Sequence, residues 1–388
     1  MPTRHSKRAI LRHLRGVSPA GTQIALGFDR RIAHVEKKPH RVGDRILPGF
    51  IDLQVNGAYG IDVMSASAAD LLRLSNRLAH EGVTGWLPTV ITSPLDTIER
   101  CDAVIGEAMR AQEELDKEAR NSGRPLGGAN ILGMHLEGPF ISPLRLGAHP
   151  RLNLLPQGEP LERVLRLKTL RLVTLAPEVE GALGAIPRFT ARGVAVSLGH
   201  SDATCQQAAD AVNAGARMFT HVFNAMRPLH HRDPGIAAAA LLPSAAYAGV
   251  IPDGVHVDRA MVRLLLHSRT QRATILTPDR VALAGAENRL MGLFGGAVGG
   301  VCAERGAAYS ANGTLAGGII NMLEAVRLTR EIAGMSWSGV AATAAANPAA
   351  VLRLRDRAAL RLRARADLIV LDRDLGLKAV FLAGREFE

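Results

Sequence analysis

From residue 46 onward the chain repeats one unit: a short β-branched or apolar run, a polar residue where it stops, then a stretch with helical spacing of apolar positions. The runs are ILPGFIDLQVN (46–56), GVTGWLPTVIT (82–92), NILGMHLE (130–137), LRLVTLAPE (170–178), VAVSLGH (194–200), RMFTHVFN (217–224), AYAGVIPD (246–253) and ATILTPD (273–279). Helical spacing fills the gaps, as over 70–80 and 203–214, with Ser201 or Asp202 placed to cap the second. Eight strand–helix units in series predict an α/β fold, a parallel (β/α)8 TIM-like barrel, because strands separated by helices pair in parallel. An open doubly wound sheet usually shows a glycine-rich phosphate turn after an early strand. The richest glycine run, GGAVGG at 295–300, follows no such strand and reads as a turn.

The two ends break the rhythm. Residues 1–45 and 366–388 read as strands and turns, and are expected to form a small β-sandwich domain built from both chain ends around a barrel spanning 46–365. Trp337 to Ala346 reads as a late helix stopped at Asn347–Pro348. After the third unit a long loop, Gly138 to Gly158, is rich in Pro, Gly and Arg, and loops of that length in a compact domain are usually functional.

Charge tests a different function. The formal charge is +11, but residues 1–48 hold eleven basic against three acidic residues and 353–388 hold nine against six. The stretch 49–352 is therefore neutral. A polyanion-binding face should interleave aromatics with its charges, and aromatics are 4% of this chain, so nucleic acid is not expected as a partner. No run reaches the roughly 18 apolar residues of a spanning helix; the nearest, 236–251, contains Pro243 and Ser244, so no membrane association is expected. The basic first residues lack the apolar core of a secretion signal. Three scattered cysteines, Cys101, Cys205 and Cys302, form neither a disulfide framework nor a CxxC site, and a cytoplasmic location fits them.

In such a barrel the chemistry lies where the strands end. The polar residues there are Gln54, Asn56, Glu137, Glu178, His200, His221, Asp253 with His256, and Asp279. Any one of them alone reads as a hydrogen-bonding strand end or a cap. Two imidazoles and several carboxylates converging on one rim have the composition of a metal site.

The motifs PGFIDLQVNG (48–57), HLEGPF (135–140), GAHP (147–150), GHSDAT (199–204), THVFNAM (220–226), DGVHV (253–257), NGTLAGG (312–318) and ADLIVLD (366–372) follow in this order. From about Gly43 to the C-terminus the chain resembles the N-acetylglucosamine-6-phosphate deacetylase family of the amidohydrolase superfamily. The resemblance implies hydrolysis of the acetamide of N-acetylglucosamine 6-phosphate, with Glu137, His200 and His221 as ligands of one divalent metal, zinc by their chemistry. It implies Asp279 as catalytic acid/base and His149 as the donor that polarises the carbonyl. Ala148, His149, Asn224, Ala225, His256, Leu315, Ala316 and Gly317 match substrate contacts, with the backbone N–H groups of Asn224 and Ala225 receiving the phosphate. Arg232 of HHRDPG matches a phosphate-binding arginine that reaches in from the neighbouring subunit, which implies a homodimer. Many amidohydrolases carry His-x-His on the first strand and hold two metals; Gln54 and Asn56 stand at those positions here, and amides are weak zinc ligands. His230 and His231 read as exposed loop residues. Pro252 and Pro278 depart from the family pattern by removing a backbone donor beside Asp253 and Asp279. Two alternatives stay open: deacetylation of an epimeric sugar such as N-acetylgalactosamine 6-phosphate, and non-catalytic sugar-phosphate binding.

Overall fold

A computed structural model describes residues 11–38, 43–122, 126–286, 290–294, 298–304 and 306–388. The basic residues 1–10, residues 39–42 and the first half of the glycine run (295–297) lie outside the described residues.

Eight strands form the barrel: Phe50–Val55, Val83–Ile91, Met134–Glu137, Leu170–Leu175, Ala195–Leu198, Met218–Phe219, Tyr247–Val250 and Thr274–Leu276, here barrel strands 1 to 8. Each pairs in parallel with the next. The circle closes through a parallel bridge between Val55 and Arg280, whose carbonyl accepts the N–H groups of Asn56 and Gly57 at 2.8 and 3.1 Å. The strands read as apolar runs because both faces are covered. Inside the barrel, Ile51, Leu53, Leu87, Leu172, Ala195, Met218 and Ile275 pack against Ala345, Ala349, Val351 and Leu352, which plug one end. A polar chain lies nearer the site: His135 Nε2 meets Thr174 Oγ1 at 2.8 Å, and Thr220 Oγ1 meets Thr174 and Ser197 at 2.8 and 2.5 Å.

The first predicted run divides. Arg45–Pro48 belongs to a seven-stranded terminal sheet, antiparallel to Leu368–Leu371 with Leu47 opposite Ile369, and the chain enters the barrel only after Gly49. A Cβ at Gly49 would lie 2.1 Å from Thr84, so only glycine fits this crossing. The sheet folds back on itself: Phe28 and Phe381, four strands apart in its order, meet edge to face at 5.4 Å. Both chain ends thus make one sandwich-like unit with its own core of Ile24, Leu26, Phe28, Ile32, Leu368 and Phe381.

Three local features differ from the sequence reading. The helix Cys205–Asn213 is capped by Thr204, in a reciprocal box with Gln207, while the Ser201 hydroxyl is committed to Glu178 and the Asp202 carboxylate to Arg145 and Arg227. The late helix does not stop at proline. Trp337–Ala341 widens into a π turn at Ala342–Ala346 and continues through Asn347–Val351, so Pro348 falls at the start of the last segment, where its missing N–H is tolerated. Between barrel strand 8 and the helix Met322–Ala333 the chain inserts an antiparallel sheet of Leu290–Phe294, Val298–Glu304, Ala307–Ser310 and Leu315–Gly318, which the strand–helix rhythm did not reveal. Its last strand is tied to barrel strand 8 by the Gly318 N–H donating to the Asp279 carbonyl at 2.8 Å. Among the described residues no helix is long and apolar enough to cross a membrane.

Candidate active site

The side chains singled out at the strand ends converge. Glu137 ends barrel strand 3, His200 and His221 follow strands 5 and 6 by two residues, and Asp279 follows strand 8 by three. The backbone turns sharply there: His200, His221, Ala225 and Asp279 have φ of 48°, 24°, 47° and 52°, and Phe223 has 80°. Such left-handed conformations cost non-glycine residues about 1–3 kcal/mol each and persist where the surroundings enforce them. Four of these five are residues the sequence marked for chemistry.

Ligand atoms of Glu137, His200 and His221 all lie within 4.8 Å of one another, and all three residues are buried. Glu137 Oε1 is 2.9 Å from His221 Nε2 and 3.2 Å from His200 Nε2. Burial pushes the Glu137 carboxyl up, but hydrogen bonds from His149, His200 and His221 outweigh it and hold the group well below the usual range. His200 Nδ1 lies 3.0 Å from the Arg145 carbonyl; donating its proton there would leave Nε2 to serve a metal in place of its contact with Glu137. One buried carboxylate and two imidazole nitrogens aimed at a common point fit a borderline-soft divalent cation with an open position.

Asp279 is buried, and its Oδ1 accepts from the Asn56 amide at 2.8 Å. Burial, reinforced by the Glu137 charge, raises its carboxyl to about 6. Gln54 donates to Glu137 Oε1 at 2.9 Å. His149 Nε2 approaches Glu137 Oε2 at 3.5 Å, and its Nδ1 lies 2.9 Å from Thr92 Oγ1. Burial, with the neighbouring His200, lowers His149 to about 4, so the ring is neutral at pH 7. His256 is held by Asp253, Nδ1 to Oδ2 at 2.6 Å, while the other Asp253 oxygen takes the N–H groups of Val255 and His256.

Asn56, Glu137, His149, His200, His221, His256 and Asp279 line a cavity of about 260 Å³ together with Ala148, Asn224, Ala225, Leu315, Ala316 and Gly317. Gly147, Phe223, Ile251 and Thr314 also line it and were not anticipated; as glycine, apolar and hydroxyl residues they carry no chemical signature in sequence. Thr92 was missed too, although it closes the second predicted run. Two expectations shift. Glu178 lies outside the cavity and accepts from Ser201 Oγ and the Asp202 N–H at 2.7 and 2.6 Å. The Asn224 N–H is not free for a phosphate, because it donates to the His221 carbonyl at 3.0 Å. Arg232 is exposed and does not line this cavity; its N–H and that of Asp233 point at His230 Nδ1, so His230 is exposed yet orders the loop. Among the described residues no lysine or arginine lines the cavity.

A strand-end carboxylate and imidazoles on a (β/α)8 barrel define a metal-dependent hydrolase site. The chain belongs to the amidohydrolase family, whose model matches residues 45–387. It is 36% identical to a cattle (Bos taurus) N-acetylglucosamine-6-phosphate deacetylase over 92% of this chain and 86% of that one. It is 35% identical to an N-acetylgalactosamine-6-phosphate deacetylase of Escherichia coli O157:H7, over 92% of each chain. Among solved structures it superposes on a point mutant of N-acetyl-D-glucosamine-6-phosphate deacetylase from Mycobacterium smegmatis in complex with N-acetyl-D-glucosamine-6-phosphate. The TM-score is 0.83 at 30% identity, covering 97% of this chain and 99% of that one.

Proposed function

We propose that this protein hydrolyses the acetamide of N-acetylglucosamine 6-phosphate to glucosamine 6-phosphate and acetate. The observation that carries the reading is the meeting of Glu137, His200 and His221 with Asp279 around one cavity. Glu137, His200 and His221 would hold one zinc ion, which when bound polarises the amide carbonyl and makes its water acidic. Gln54 and Asn56 spend their amides on Glu137 and Asp279, which supports a single metal per subunit.

Asp279 is the proton carrier. As carboxylate it takes a proton from the attacking water; once protonated it delivers that proton to the departing amine, which leaves poorly without it. Asn56 fixes the orientation of the carboxyl group. His149 supplies the oxyanion donor: with Thr92 donating its hydroxyl hydrogen to Nδ1, the neutral ring carries its proton on Nε2, toward the cavity. His256, fastened by Asp253, and the segment Leu315–Gly317 contact the sugar.

The substrate phosphate needs a cation, and among the described residues this cavity has none in its lining. Arg232 of a partner subunit in a homodimer meets that need, and its guanidinium fork suits a phosphate. The Ala225 N–H remains to assist. The terminal sheet, drawn from residues 11–38, Arg45–Pro48 and the C-terminal strands from Leu368 onward, is read as a domain distinct from the barrel, and the enzyme as cytoplasmic.

The test is acetate release by purified, zinc-loaded protein from N-acetylglucosamine 6-phosphate, N-acetylgalactosamine 6-phosphate and unphosphorylated N-acetylglucosamine, alongside zinc content per subunit. Expected is turnover of the first with one zinc. No turnover of any sugar with zinc bound would leave the non-catalytic reading, and faster turnover of the second would favour the epimer.

A further inference from the structure

Between the metal ligand His200 and the loop that carries Arg232 runs a continuous chain of charged contacts. The turn Ser142–Arg145 wraps His200: the Ser142 N–H donates to the His200 carbonyl at 2.9 Å, and the Arg145 carbonyl faces His200 Nδ1 at 3.0 Å. The Arg145 guanidinium forks onto one oxygen of Asp202, through Nε at 2.8 Å and a terminal nitrogen at 2.7 Å. The other Asp202 oxygen accepts from Arg227 at 2.8 Å, and the second arm of Arg227 reaches both oxygens of Asp233 at 3.2 and 3.1 Å. Asp233 is the neighbour of Arg232. The backbone runs alongside: Ser201 donates to the Ala225 carbonyl at 3.0 Å and Arg227 to the Ser201 carbonyl at 2.9 Å.

The geometry points to Asp202 as a positioning residue that ties the phosphate loop to the metal ligand, each of its oxygens serving one arginine. This rests on the deacetylase reading above, in which His200 holds zinc and Arg232 serves the phosphate. Asp202 side-chain exposure is 17%, and those of Arg145 and Arg227 are 32% and 26%, so the pairs are partly shielded from water and salt. A hydrogen-bond partner that orients a metal-bound imidazole typically changes metal affinity about 10–100-fold when removed. Arg145 is such a partner through its carbonyl, and Asp202 fixes where that carbonyl sits.

The experiment uses the full-length zinc-loaded protein and measures zinc loss to a coloured chelator, the KM for phosphorylated against unphosphorylated sugar, and thermal unfolding. Asp202→Asn is expected to speed zinc loss about tenfold and to raise KM for the phosphorylated sugar selectively. Arg227→Gln, which contacts no metal ligand, is expected to move both readouts the same way, and the double variant to be no worse than the worse single one, as for members of one network. Arg227→Lys, able to serve only one of the two carboxylates, should fall between; it also carries the test if Asp202→Asn does not fold. Zinc loss at the wild-type rate in Arg227→Gln overturns the link, as does additivity in the double variant. A lowered melting temperature with both functional readouts unmoved does so too, reducing the chain to structural support. A wild-type protein that held no zinc would overturn this link and the deacetylase reading together, whereas a zinc-holding, active wild type with unmoved variants overturns the link alone.

Discussion

At the scale of single residues the site rests on one carboxyl group kept away from water. Asp279 in the open would titrate near 4 and be a poor acid for an amine at neutral pH. Burial and the Glu137 charge bring it to about 6, closer to the working pH, where it can both accept and return a proton. In the proposed reaction it works first as a base, which requires the ionised form. The kcat/KM of the wild type is accordingly expected to fall about tenfold per pH unit below pH 6, measured as acetate release at subsaturating substrate. Asp279→Asn keeps the shape and the contact with Asn56 but can act as neither acid nor base near neutral pH, and is expected to lose about 10²–10⁴ in kcat with zinc content unchanged. A retained rate would remove Asp279 from the reaction. The imidazoles and carboxylates were legible in sequence through their joint placement at strand ends, since each alone reads as a cap or a hydrogen-bonding end. Thr92 and Asp202 were not: a threonine ending a strand and an aspartate before a helix have common structural uses, and only coordinates show the first at His149 Nδ1 and the second between two arginines.

At the scale of elements the barrel was readable because each strand is apolar on both faces and each helix on one, two periods that differ. The sheet inserted after barrel strand 8 escaped because its last strand, LAGG, has almost no side chains to set a period. That smallness is what lets it approach Asp279. A Cβ at Gly318 would lie 2.0 Å from the Pro278 carbonyl oxygen, so Gly318→Ala must push the strand off the residue before Asp279, the proposed catalytic acid. It is expected to cut kcat/KM by at least about tenfold, since displacements near 1 Å can cost a hundredfold, while zinc remains bound. Unchanged kinetics would show the strand to be a passive wall. The helix through Pro348 was misread for another reason. Proline bars the helix before it only if the hydrogen-bond register is kept, and here the register slips by one residue in the π turn. Asn347 secures the slip by donating to the carbonyls of Gln271 and Thr274, at 2.9 and 2.6 Å, at the edge of barrel strand 8. Asn347→Ala leaves two carbonyls short of a donor and is expected to cost about 2 kcal/mol in denaturant unfolding with kcat unaltered.

At the scale of the whole molecule the distribution of charge decides how many chains make a site. The +11 of the sequence resides at its two ends, in the terminal sheet, in the turns at 352–367 that lead into it, or outside the described residues, and residues 49–352 balance to zero. Among the described residues, a dianionic phosphate in the cavity would therefore find no lysine or arginine in the lining. Arg232 stands on an exposed loop outside the lining of its own cavity, which is where a two-fold partner could use it. If the arginine acts across the interface, a subunit damaged in its own chemistry still completes its neighbour. Asp279→Asn and Arg232→Gln subunits should each be nearly inactive at low substrate as homodimers. Mixed, unfolded together and refolded at equal amounts, half the dimers pair one of each. In those dimers one site joins an intact Asp279 to an intact Arg232 and the other has neither, so roughly a quarter of wild-type turnover should return. An arginine acting within its own chain predicts no recovery at any ratio. Arg232→Gln alone should also raise KM for the phosphorylated sugar and leave the unphosphorylated sugar untouched, because only the former presents the charge that the guanidinium fork holds.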